Sequence, residues 1–345
     1  MLKDFFEEQL TAVVTNNGDI TIGTTSFSPV SILQKDEDAY QDSYQTWLDE
    51  IWIPEQTEIL ENIWKLDNDN RPRFKKLSDA FQRKQLIPFI GSGMSSSSGL
   101  PTWREFLVAL SEKSEVSIDH LNQLLDQGKF EEAFDLFLDI KVMNRRLLHE
   151  QIHNRLQVKE TSINGAIRLI PDIFSEIVIT TNLDNILEKL YTYSDAPFDD
   201  VLICNDIGTF RELRGDRKRM LLKIHGCCEK MDRRILGKEE YDEAYCEGTG
   251  FHTTLAFLCQ SYHFLFLGCS LSIDRTVRLL ADVATKDKGM PNHFAFMSVP
   301  DNSDLCLKRE RELELTRYGI FPIWYNGDHD ESIGALLTGI LHELQ

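Results

Sequence analysis

From Leu86 onward the chain alternates short apolar runs with stretches of helical period, a pattern that predicts parallel strands joined by crossover helices. The runs are Leu86 to Ile90, Glu176 to Thr180, Met220 to Ile224, Phe264 to Leu267, His293 to Ser298 and Ile320 to Trp324. Between them, apolar residues recur three and four apart: Leu183, Ile186, Leu187 and Leu190 form one helical face, and Ile333, Leu336, Leu337 and Ile340 another. The interval from Trp103 to Phe174 reads as helical with little β character. A crossover needs only about a dozen residues, so the surplus predicts a helical module over residues 103–174, seated above the sheet.

The beginning of the chain has a different texture. Ala12-Val13-Val14-Thr15 and Ile20-Thr21-Ile22 flank Asn17-Gly18, a hairpin signal. Between Asp36 and Lys65, Trp47, Ile51, Trp52, Ile59 and Trp64 stand among acidic residues and suggest helices. Residues 1–75 are therefore read as an N-terminal extension, either an oligomerisation arm or a cap on the main domain, which occupies residues 76–345. The expected fold class is α/β: a Rossmann-like doubly wound parallel sheet with a helical insertion and an N-terminal extension.

Composition narrows the function classes. The 345 residues are 42% hydrophobic, enough for a sizeable core, and carry 37 basic against 56 acidic side chains for a net charge of −19. That balance argues against nucleic acid as a partner, and the basic clusters Arg71, Arg73, Lys75, Lys76 and Arg214, Arg217, Lys218, Arg219 are short. With neither an apolar run of eighteen residues nor the order of a signal peptide, the expectation is a cytoplasmic protein without a membrane span. The seven cysteines contain no Cys-x-x-Cys pair. They are read as reduced and structural, and no metal site is expected.

The strongest local signal runs from Leu86 to Pro101: a buried strand enters Gly91-Ser92-Gly93-Met94-Ser95, then Gly99-Leu100-Pro101. Missing side chains let backbone N–H groups approach a phosphate. Thr102-Trp103-Arg104-Glu105 then has the pattern of a capping box opening a helix. Alone, the Gly91-x-Gly93 step is weak, because Ser96 stands where a third dinucleotide-binding glycine belongs and no P-loop lysine follows. Three further turns sit just past expected strands, where open α/β sheets gather ligands: Thr181-Asn182-Leu183-Asp184, His225-Gly226, and Gly268-Cys269-Ser270 running on to Asp274. Taken singly, Asn182 reads as a helix cap and His225 as a half-buried core histidine.

As an ordered set these segments resemble the sirtuin pattern. The first is similar to the sirtuin phosphate loop, Thr180-Thr181-Asn182-Leu183-Asp184 to its Asn-x-Asp segment, Ile224-His225-Gly226 to its catalytic His-Gly, and Leu267-Gly268-Cys269-Ser270-Leu271-Ser272 to the ribose-facing turn of bacterial sirtuin-like proteins. The likeness covers about Lys76 to Gln345. It departs from true deacylases in lacking their zinc-binding module, the wall against which acyl-lysine binds. The chain thus looks like the zinc-less NAD hydrolases of the bacterial sirtuin-like family found in antiphage defence.

The resemblance implies NAD as substrate, no metal, and cofactor contacts from Gly91, Ser92, Gly93, Ser95, Pro101, Thr181, Gly268, Ser270 and Asp274. Cleaving the nicotinamide bond passes through an oxocarbenium-like ribose, which must be held rigidly while water enters one face. Asn182 is assigned to orient that water and the ribose hydroxyls, Asp184 to steady the loop and the developing cation, and His225 to accept a proton near its ordinary pKa of ~6.5. Glu239, Glu240 and Tyr241 are read as structural, Tyr325 and Asn326 as reaching toward adenine. The expected partners are further copies of the chain and an activating protein such as an ATPase of the HerA type. The competing readings are an NAD-dependent protein deacylase or ADP-ribosyl transferase, and a non-catalytic sensor of NAD or ADP-ribose.

Overall fold

Apolar runs with both faces buried become the inner strands of a parallel sheet, because helices cover each side. A computed structural model describes residues 2–15, 19–22, 24–138, 143–158, 163–216, 219–271, 275–286, 289–300 and 305–344. In chain order its strands are β1 (Ile20–Ile22), β2 (Thr25–Phe27), β3 (Leu86–Ile90), β4 (Ile177–Thr180), β5 (Asp200–Ile203), β6 (Met220–Lys223), β7 (His263–Leu267), β8 (His293–Ser298) and β9 (Ile320–Tyr325). The first two pair as a small hairpin, and the other seven form one sheet in the order β5-β6-β4-β3-β7-β8-β9, every neighbour parallel. All residues of β3, β4 and β6 are buried.

The chain leaves β3 for β4 on one side and later returns to place β7 on the other. The direction of winding therefore reverses at β3, the point past whose strand ends open α/β sheets of this kind bind their ligands. One sheet face is covered by a core that includes Leu86, Val178, Leu187 and Leu336, the other by one that includes Phe89, Ile179, Leu258 and Leu280.

The helical module comprises helices Trp103–Ser111, Ile118–Asp126, Phe130–Asp135 and Arg145–Leu156. They enclose a core of their own around Phe106, Leu107, Leu121, Phe134 and Phe137, completed by Leu183, Cys228 and Leu236. The module is thus seated on the loops that follow β4 and β6.

Two expectations need correction. Ala12–Thr15 belongs to the helix Leu2–Thr15, because Leu2 and Phe6, one helical turn apart, bury against Tyr40 and Trp47. The hairpin partner of Ile20–Ile22 is instead Thr25–Phe27, with Ile20 opposite Phe27; Asn17 and Gly18 lie outside the described residues. The sheet also contains β5, an edge strand with no counterpart among the anticipated runs.

The extension packs on the main domain. Helix Ile53–Leu66 lies along helix His329–Leu341, and a Cβ at Gly339 would come within 3.1 Å of Leu60 and 2.9 Å of Phe74. The fully buried Asn70 adds polar specificity: its Nδ2 donates to the carbonyls of Ile63 and Trp324, and its Oδ1 accepts from the Trp324 N–H, each at 2.8 Å.

Candidate active site

The glycine loop is interlocked with the turn after β7. Gly91 N–H donates to the Leu267 carbonyl at 2.8 Å and Gly93 N–H to the Gly268 carbonyl at 3.0 Å. A Cβ at Gly91 would lie 2.5 Å from the Gly268 oxygen, one at Gly93 2.9 Å from the Gly268 Cα, and Gly268 itself holds φ +63°. Only glycine lets the two backbones meet this closely. The loop continues as a 3₁₀ turn, Ser92–Ser98, with Gly99 at φ +76°, and the Thr102–Glu105 capping box opens the next helix.

Asn182, two residues past β4, is buried and bonded directly to this loop. Its Nδ2 donates to the Gly91 carbonyl and to Ser95 Oγ, both at 3.0 Å, and Ser95 Oγ donates to Asp184 Oδ2 at 2.9 Å. A carbonyl can only accept, so the orientation of the amide is fixed and Oδ1 is left as its acceptor end. Asn182 N–H in turn donates to Thr180 Oγ1 at 2.9 Å, and Thr180 Oγ1 to the Ile90 carbonyl at 2.9 Å.

Asp184 is engaged through both oxygens, Oδ1 accepting from Ile186 N–H at 3.0 Å. It therefore steadies the loop and the start of the next helix. Burial raises its pKa against the opposing charge of Lys223. Beneath the loop, Lys223 at the end of β6 is 1% exposed. Its Nζ donates to the Asp184 carbonyl at 2.5 Å and to Glu188 Oε1 at 2.6 Å. Burial alone pulls the lysine pKa down, but Glu188 and Asp184 together raise it, so the ammonium is retained.

His225 follows β6, the strand beside β4, in a register that sets Thr180 against Lys223. Ile224 N–H donates to the Thr180 carbonyl at 3.0 Å and Cys228 N–H to the Leu183 carbonyl at 2.8 Å, so the His225 and Asn182 loops run side by side. The imidazole is held at both ends, Nε2 against Tyr245 OH at 3.0 Å and Nδ1 against Tyr241 OH at 3.2 Å. Tyr245 OH also meets Thr276 Oγ1 at 3.1 Å. Desolvation pushes the His225 pKa down to about 3, so the ring is neutral at physiological pH. That departs from the anticipated base near 6.5; the half-buried ring is desolvated by the Tyr241 and Tyr245 rings beside it.

Of the other expected contacts, Ser92, Thr181 and Pro101 are half-buried, and Thr181 N–H donates to the Ile90 carbonyl at 3.2 Å. Ser270 is exposed, and its carbonyl accepts from Arg311 at 2.9 Å. Asp274 lies outside the described residues. Tyr325 is buried at 2% exposure and packs in the core with its hydroxyl on His329 Nδ1. Glu240 does act structurally, its Oε2 accepting from the Leu236 and Gly237 N–H groups. Tyr241, read with it as structural, instead touches His225. Sequence reasoning does not reach Tyr245, Thr276 or Lys223; the one available signal is two tyrosines, Tyr241 and Tyr245, a helical turn apart soon after His225-Gly226.

The glycine loop after β3, the Asn-x-Asp turn after β4 and the His-Gly turn after β6 thus lie next to one another along the C-terminal edge of the sheet. The SIR2-like domain family matches residues 176–323, which run from the start of β4 into β9. The chain is similar to the NAD(+) hydrolase ThsA of Cytobacillus dafuensis, 24% identical over 262 residues that make up 75% of this chain and 50% of that protein. It is also similar to the NAD(+) hydrolases ThsA of Acinetobacter baumannii, 24% identical over 60% of this chain and 40% of the relative, and of Enterococcus faecium, 22% identical over 72% and 52%. The chain spans about half the length of these curated relatives or less. Among the described residues, no helix is long and apolar enough to cross a membrane.

Proposed function

We propose that this protein binds NAD across the C-terminal edge of its sheet and hydrolyses the nicotinamide-ribose bond, releasing nicotinamide and ADP-ribose. The observation that carries the reading is the bond from Asn182 to the glycine loop. The same side chain that presents an acceptor to water is locked to the backbone that cradles the pyrophosphate, so nucleophile and substrate share one rigid frame. The printed names of the relatives point to the same chemistry.

In this mechanism the glycine loop receives the pyrophosphate and Gly268 and Ser270 the adjacent ribose. Asn182 Oδ1 accepts a hydrogen bond from the attacking water and aims its lone pair at the ribose carbon as nicotinamide leaves. Asp184 holds Ser95 and the loop in place. His225, neutral and held between the Tyr241 and Tyr245 hydroxyls, takes the proton that the attacking water gives up: Nδ1 accepts it, with the Tyr241 hydroxyl yielding its place there, as Nε2 passes its own to Tyr245 and on to Thr276, so the ring keeps no lasting charge. The proposed setting is cytoplasmic antiphage defence, with activation by self-assembly or by a partner such as an ATPase of the HerA type.

The test is nicotinamide release by the purified protein from NAD, with Asn182→Ala and His225→Ala as controls, repeated as a measurement of the NAD pool in cells under phage challenge. Release without an acylated peptide supports hydrolysis. Release that requires such a peptide, or an undiminished NAD pool in challenged cells beside inactive pure protein, overturns it.

A further inference from the structure

Lys223 is the one lysine among the described residues that is fully buried in the core, and nothing in the chemistry above uses its charge. Removing an ammonium from water is unfavourable, and a well-packed apolar side chain at such a position commonly supports a fold as well or better. Its neighbours on β6, Met220, Leu221 and Leu222, are apolar and equally buried. Stability alone therefore gives no reason for a lysine here, and its hydrogen bonds do. Two residues before His225, it reaches across to the neighbouring strand's loop and donates to the main-chain carbonyl of Asp184 at 2.5 Å. Glu188, one turn into the helix beyond that loop, balances the charge at 2.6 Å.

We propose that Lys223 is a positioning residue for the hydrolysis: it ties the Asn182-Leu183-Asp184 turn to the strand that carries His225, and so fixes the spacing between the two halves of the site. Asn182 is held from above by the glycine loop, and Lys223 holds the same turn from below. Without the lower tether the turn retains Gly91 and Ser95 as partners and the Cys228 N–H on the Leu183 carbonyl, but its Asp184 end loses the only side-chain link to β6 among the described residues. Glu188 has a different part in the pair. It keeps the lysine charged and does not touch the turn's backbone.

The inference rests on the hydrolase reading, and the experiment separates the two. Lys223→Gln leaves a Glu188 carboxylate that is 31% exposed and can be solvated, whereas Glu188→Gln leaves a 1% exposed ammonium without its counter-charge, so a purely structural ion pair predicts the larger losses of Tm and of activity in Glu188→Gln. A tether predicts a split. In Lys223→Gln, kcat for nicotinamide release falls by on the order of 10²-fold with KM for NAD nearly unchanged, the cost of a displacement of about 1 Å at a reacting centre. In Glu188→Gln, where the lysine stays on the Asp184 carbonyl, kcat falls only a few-fold. The double change Lys223→Met with Glu188→Met, which leaves no orphan charge, should keep Tm close to wild type and still show the low kcat.

Amide hydrogen exchange across Asn182–Leu187 gives a readout that needs no activity. The tether predicts faster exchange there in both Lys223 variants, with exchange across β3 unchanged. A kcat loss in Glu188→Gln equal to or larger than that in Lys223→Gln, or exchange across Asn182–Leu187 that stays at the wild-type rate, overturns the proposal. If wild-type protein releases no nicotinamide under any condition, the hydrolase reading fails, and the exchange measurement still decides whether the tether exists.

Discussion

The two halves of the site are built on opposite plans. Asn182 is fixed by groups whose hydrogen-bonding direction is beyond choice: a backbone carbonyl, a serine between amide and carboxylate, and a threonine at its own strand end. His225 is fixed by two tyrosine hydroxyls, each able to donate or accept, on a ring whose protons are equally movable. The first half is suited to holding one geometry, the second to passing protons while holding approximately still. The predictions below try to break that contrast.

The largest effect is expected at Asn182. Asn182→Ala removes the acceptor presented to water, and nicotinamide release should fall at least about 10²-fold. Asn182→Asp sharpens the point: a carboxylate facing the Gly91 carbonyl has no hydrogen to give it, so isosteric replacement should fail almost as badly as truncation. Steady-state kinetics on both variants check this, and near-wild-type turnover in Asn182→Asp would show that the amide's orientation is unimportant.

Next comes the interlock that supports Asn182. Gly91→Ala places a methyl 2.5 Å from the Gly268 oxygen, so the β3 and β7 turns must part. Overpacking of this kind costs about 1–3 kcal/mol, visible as a lowered urea midpoint, and the displaced loop should weaken NAD binding in calorimetry. An unchanged midpoint would mean the turns yield freely and the frame around Asn182 is soft.

On the other half, Tyr245→Phe and Tyr241→Phe each delete one hydroxyl and little else. If Tyr245 connects His225 to Thr276 as a proton path, its loss should slow turnover about tenfold, while Tyr241→Phe should cost the few-fold expected of one orienting hydrogen bond. Equal, small losses would reduce both tyrosines to packing.

The same contrast explains what could be read in advance. The Asn182 half was legible because its parts lie within a few residues of strand ends: Gly91 after β3, Asn182 and Asp184 after β4, Gly268 after β7. Continuous apolar runs mark such strands, since both their faces are buried. β5 escaped because Asp200–Ile203 is a short edge strand with a polar start, half of whose residues remain outside the core. The hairpin was misassigned because Val13, Val14 and Asn17-Gly18 speak locally for a turn, whereas Leu2 and Phe6 bury against aromatic rings more than thirty residues away. The His225 half was only partly legible for the same reason. His225 could be found by its place after β6, but Tyr245 and Thr276 come from two other segments, and no local spacing announces that they meet.

The smallest effect is the most direct measure of how His225 works. With its pKa held near 3 by burial, His225 keeps one charge state from about pH 5 to 8. The profile of kcat/KM should therefore show no inflection near 6.5, the position expected of a freely titrating imidazole. Stability should behave otherwise. His293 is also neutral, its pKa pushed down to about 3 by burial, with Nδ1 accepting from Phe264 N–H at 3.0 Å. Its unfolded form takes up a proton as pH drops through about 6.5, while the native form does not until near 3. The stability contributed by a neutral His293 is thus fully present above 6.5 and is lost on acidification, by at most about 1.4 kcal/mol per pH unit. His293→Asn keeps an acceptor for Phe264 and should make that acid limb shallower by one proton's share in urea titrations between pH 7 and 4.5, the similar share of His225 remaining, while leaving the kcat/KM profile as it was. An inflection near 6.5 that vanishes in His225→Asn would instead make His225 the titrating base, and the difference between the two halves of the site would disappear.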